Sequence, residues 1–140
     1  VSPRTFIAAG ATALGLLMGS ATMAAADTGA APEATEYVAK FEVSGETYKV
    51  RLVEQDDIDQ ARALLNGDPG ALTPNGKIRW GVVDVNSPYQ WSIDPNDFGF
   101  AEVTAEVCDG RPSYVDGPNW GAGYFCPWDA VIVSLDPISH

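Results

Sequence analysis

The hydrophobic pattern changes period once, and that change limits the architectures open to this chain. Apolar residues alternate with polar ones at Phe41 and Val43, and again at Tyr48, Val50 and Leu52. Alternation of period two is the mark of a half-buried strand. Ser44-Gly45-Glu46 lies between the two runs and predicts a tight turn joining two strands. From Gln55 to Asn66 the period becomes helical, with Ile58, Ala61, Leu64 and Leu65 on one face and Gly67 as a stop. Asp56, Asp57 and Asp59 crowd the first turn, where acids cap free amides and complement the helix dipole. The chain then reads as a loop from Asp68 to Gly76 and as strands at Lys77–Val85 and Trp91–Ile93. Asp94 to Asp97 reads as a turn, followed by strands at Phe100–Cys108 and Trp128–Leu135. Trp80, Trp91 and Trp128 fall on these strands and are expected in the core. The sum is an α+β domain, mostly antiparallel sheet with one main helix at about 55–66. Its 46% apolar composition suffices for a packed core.

The first 26 residues read as a secretion signal. Arg4 is the only charge before Asp27, an apolar stretch runs from Phe6 to Met18, and Ala24-Ala25-Ala26 offers a cleavage site. The apolar stretch is shorter than a spanning helix requires. Residues 27–36 read as a flexible leader and 37–138 as the single domain. Export makes the cysteine count readable, because an even count in an oxidising compartment favours pairing. Cys108 and Cys126 are therefore expected to form a disulfide, worth ~3 kcal/mol for a loop of that length. They are not spaced as C-x-x-C, and the single His is the last residue, His140, so a zinc site is not expected.

Charge narrows the partners. The chain carries 19 acids against 8 bases, a net charge of -11. Nucleic-acid backbones and anionic membranes both require positive charge, so neither is expected as a partner. The sequence offers no internal His for a catalytic triad and no Gly-rich phosphate loop. Asp94-Pro95-Asn96-Asp97-Phe98-Gly99 places Phe98 where a calcium loop needs a ligand. No cofactor and no metal are expected. The one catalytic route left is a carboxylate pair, Glu102 and Glu106, four apart on one face of a strand or helix.

Aromatic residues crowd the second half of the chain, and those on the loop closed by the cysteines are the best candidates for a contact surface. Trp120, Tyr124 and Phe125, with Arg111, are the predicted partner-binding residues. Such a surface grips an extracellular protein or a glycan. The leading expectation is a secreted, non-catalytic binding module. The alternatives are a small extracellular protease inhibitor that presents the stapled loop, and a carboxylate-dependent hydrolase.

Three stretches and one ending carry a resemblance. They are Asp57 to Gly67, then Trp91-Ser92-Ile93-Asp94-Pro95, then Phe100 to Ser113 with its Glu106-Val107-Cys108-Asp109, and finally Cys126-Pro127-Trp128-Asp129-Ala130. In this order they resemble the secreted calmodulin-binding-protein-like domains, the BP-seventy-four N-terminal domain family, over about residues 38–135. The resemblance implies a small exported α+β domain with the two motif cysteines paired, and it implies no known enzyme activity. A calmodulin target is usually a basic amphipathic helix. The helix predicted here sets Arg62 alone against Asp56, Asp57 and Asp59.

Overall fold

A computed structural model describes residues 35–139, with positions 69 and 71 left aside. The expected signal segment and nearly all of the leader lie outside the described residues. The leader's last residue, Glu36, is tied into the domain. Its carbonyl accepts from Ile138 N at 2.9 Å, and its carboxylate meets Arg51 at 2.7 Å.

Strands β1 (Tyr37–Val43) and β2 (Glu46–Leu52) form the predicted hairpin, in register from Tyr37↔Leu52 to Val43↔Glu46. Ser44 and Gly45 both take positive φ, 51° and 86°. That is the turn whose twist matches two paired strands. The alternation sends Ala39, Phe41 and Val43, with Tyr48, Val50 and Leu52, into the core. Helix α1 (Gln55–Leu65) follows, burying Ile58 and Ala61. It ends where Gly67, at φ 98°, lets the Gly67 and Asp68 amides close back on Leu64 O and Ala63 O. The expected acidic capping does not occur. The N-cap is Glu54, and no side chain bonds the first amides. Asp56 and Asp57 lie in the first turn without capping it.

A second sheet is built on β3 (Thr73–Trp80), which pairs antiparallel with β4 (Trp91–Ile93), β5 (Gly99–Ala101) and β6 (Tyr124–Phe125). β3 begins four residues earlier than the expected strand. Its Thr73-Pro74-Asn75-Gly76 start has loop composition, yet Thr73, Pro74 and Asn75 lie opposite Ala101, Phe100 and Gly99. Pro74 sits near the strand's start, where one missing donor is tolerated. Gly76 is required by packing, because a Cβ there would run into the Ile93 side chain. β3 stops at Trp80, short of the predicted Val85, where Gly81 turns the chain at φ 78°.

The strand predicted over Phe100–Cys108 survives only as Gly99–Ala101. Its partner β3 starts at Thr73, opposite Ala101, so the ladder has nothing further to pair with. The chain then runs irregularly to a 3₁₀ turn at Glu106–Cys108 and a short helix α2 (Pro112–Val115). Strand β7 (Val131–Pro137) returns to the first sheet and completes the order β2-β1-β7. The sequence predicts this strand at Trp128–Leu135 and buried. Instead it is an edge strand, with Val131 60% and Val133 43% exposed, while Ile132 and Leu135 pack on the core. Of the three tryptophans expected inside, only Trp91 is buried. Trp80 stands at the end of β3, and Trp128 lies in the turn before β7. The result is an α+β fold of two antiparallel sheets and one main helix.

An aromatic seam joins the sheets. Tyr48 of β2 meets Phe125 of β6 edge-on at 5.0 Å, and Trp91 of β4 meets Phe125 at 5.3 Å. Such pairs add about 0.5–1.5 kcal/mol each beyond buried area. Burial also holds the Tyr48 phenol well above its ordinary pKa.

A polar seam runs beside it, centred on Asn86, which is fully buried. Its side-chain oxygen accepts from Lys49 N at 2.8 Å, and its amide nitrogen donates to Trp91 O at 2.9 Å. One side chain thus satisfies backbone groups of both sheets. Nearby, Asp84 takes Arg51 at 2.6 Å and Arg79 at 3.2 Å. The Arg51 hydrogen bond is the main reason the Asp84 carboxyl lies below its ordinary pKa.

Candidate functional site: a groove beside the disulfide

Cys108 and Cys126 are bonded, with their Cα atoms 5.1 Å apart, and Cys126 N donates to Cys108 O at 2.7 Å. The staple fixes the end of the irregular 102–108 segment to the end of β6. Beside the staple these two segments leave a groove of about 410 Å³. Val103, Thr104 and Val107 form one wall, with Tyr124 and Asn75 opposite. Val103 is 86% and Val107 77% exposed. These are large values for β-branched apolar side chains, and they follow from the missing partner strand. The Thr104 hydroxyl is screened from solvent and has no hydrogen-bond partner among the described residues.

Val103 and Thr104 also line a neighbouring recess of about 240 Å³ bounded by Thr73, Glu102 and Trp128. Trp128 and Thr73 in turn border a hollow of about 360 Å³ reaching Phe100, Ile132 and Leu64. Three hollows that share lining residues thus form a strip of neighbouring recesses between the end of α1 and the disulfide, with the half-exposed Trp128 among them. Trp128 is anchored through its backbone, where its N–H donates to Asp109 at 2.8 Å. Asp97 lies beside Tyr124 and is the first cause of its raised phenol pKa.

The predicted contact residues do not form one surface. Strand alternation turns Tyr124 outward into the groove and Phe125 inward, so Phe125 is a core residue, 1% exposed. Trp120 is half-buried and buttresses Phe125 from 5.7 Å. Arg111 is exposed and lies elsewhere, its guanidinium 5.9 Å above the Tyr114 ring. Tyr114 and Trp120 border a separate hollow of about 370 Å³ with Ser113 and Asn119.

Sequence reasoning does not find Val103, Val107 and Trp128 as surface residues. The valines have the pattern of a strand's buried face, and the tryptophan that of a core residue. No local signal separates them from core positions, because their exposure follows from where the β3 partner begins. Glu102 and Glu106 are both exposed. Glu102 borders the Trp128 recess, and Glu106 opens the 3₁₀ turn.

Among the described residues, no group of three or more His, Cys, Asp or Glu is placed to hold a metal ion. No described helix is long and apolar enough to cross a membrane. No curated protein and no solved structure matches the chain. A family model does match, from residue 34 to residue 139, which spans both sheets, the helix and the disulfide. On that match the chain belongs to the BP-seventy-four N-terminal domain family.

Proposed function

We propose that this domain is a non-catalytic, extracellular binding module that holds a protein partner in the groove beside the disulfide. The observation that carries the reading is the exposure of apolar side chains along this strip of recesses. Val103, Val107, Tyr124 and Trp128 are all at least 45% exposed and all border it. Grouped exposed apolar residues of this kind mark interaction sites. The Cys108–Cys126 bond supports export, because structural disulfides persist in oxidising compartments. Glu102 and Glu106, both exposed, serve this reading as rim charges. Trp120 and Phe125 serve it as the packing that fixes β6.

The test pairs capture with a groove variant. The purified protein and its Val103→Asp/Val107→Asp variant are immobilised and exposed to secreted proteins at physiological salt. Both valines are exposed, so the variant is expected to melt within a few degrees of wild type. A partner retained by wild type and reduced at least about tenfold on the variant supports the groove. Equal retention on both overturns it. A retained partner that proves to be a protease blocked by the domain would assign the inhibitor role instead.

A further inference from the structure

Resting on the groove as the contact surface, we infer that its occupant is a basic segment of a protein partner, with apolar side chains spaced between lysines or arginines. The floor and walls are nearly uncharged, while the flanks are acidic. Glu102 and Glu106 bracket the wall residues Val103, Thr104 and Ala105 in the chain, and Glu102 itself borders the recess. Asp97 lies close enough to Tyr124 to raise its phenol pKa, and Asp109 accepts from the backbone N–H of Trp128. One base, Lys77, lies opposite Tyr124 in the β3–β6 register. Arg51 and Arg79 do not offset this field, because they are committed to Glu36 and Asp84 in the polar seam.

Glu102 and Asp68 on the lining, with Asp109 bonded to the Trp128 backbone, give the apolar hollows an acidic margin that selects a ligand of opposite charge. Apolar anchors enter between Val107 and Tyr124 and against Trp128, while cationic side chains reach the rim. Rim charges of this kind set partner choice and association rate more than total affinity. An acidic partner is repelled by the same rim.

The test is selection from a random twelve-residue peptide library displayed on phage, panned against the full protein. The recovered peptides are then synthesised and titrated while Trp fluorescence is followed. The expected sequences are enriched in Lys or Arg interspersed with apolar residues. Their affinity is expected to fall at least about fivefold between 50 and 500 mM salt, and by a similar factor in Glu102→Gln/Glu106→Gln. Selected peptides that are neutral or acidic, yet lose binding to Val103→Asp/Val107→Asp, overturn the charge inference and leave the groove standing. Peptides indifferent to both variants, or no enrichment at all, overturn both.

Discussion

Removing the Asn86 side chain is expected to cost more stability than any other single polar substitution in the described domain. In Asn86→Ala, Lys49 N loses its acceptor at 2.8 Å and Trp91 O loses its donor at 2.9 Å. The site is fully buried, so water does not replace either partner. A buried group left unsatisfied costs about 1–3 kcal/mol, which puts the pair at roughly 4 kcal/mol. Total stability for a domain of this size is about 5–15 kcal/mol. Urea unfolding followed by Trp fluorescence reads the loss directly. With m between about 1 and 3 kcal/mol/M, the midpoint is expected to fall by about 2 M at unchanged m. Asn86→Asp sharpens the test. It keeps the acceptor for Lys49 N but sets a carboxylate against the Trp91 carbonyl, so it is expected to be nearly as damaging at pH 7. Protonating that carboxylate restores a donor, so its deficit relative to wild type shrinks as pH falls. A midpoint shift below about 0.5 M in Asn86→Ala would refute the idea that this side chain holds the two sheets together.

Two other perturbations test separate features. Cys108→Ser/Cys126→Ser is expected to lower stability by ~3 kcal/mol, and wild type treated with a dithiol should fall to the same value. Asp57 has a pKa pushed up to about 6, first by desolvation and then by Glu54 and Asp56. Its folded pKa exceeds the unfolded value near 4, so stability is lost as pH rises from about 4 to 6. Asp57→Asn is therefore expected to gain about 1 kcal/mol at pH 7, after allowance for solvent screening, and nothing near pH 4. Equal gains at both pH values would disprove the assignment.

The local parts of the fold are legible because they rest on nearest-neighbour physics. The β1–β2 hairpin follows from alternation plus a Ser44-Gly45 turn, and α1 follows from its period and the Gly67 stop. The disulfide follows from an even cysteine count read together with the expected secretion signal. What escapes is decided by long-range pairing. Thr73 to Gly76 looks like a loop until Phe100 and Gly99 arrive opposite it. Phe100 to Cys108 looks like one long strand until its partner runs out at Thr73. The same shortfall hides the site, because Val103 and Val107 have strand periodicity but no strand to join. Asn86 sits in what reads as an ordinary Asn-Ser-Pro turn, and nothing local marks it as the bridge between the sheets. Phe125 and Tyr124 look like one contact pair, yet adjacent strand residues point to opposite faces, so one of the two has to be core.

The irregular passage from Glu102 to Val107 has a consequence for how such domains diversify. Its side chains contribute almost nothing to the interior, which is filled from the two sheets and α1. The staple at Cys108 fixes where the passage ends, whatever its composition. Substitutions there are close to neutral for folding, so under the proposed binding role recognition could change at these few positions on an unchanged scaffold.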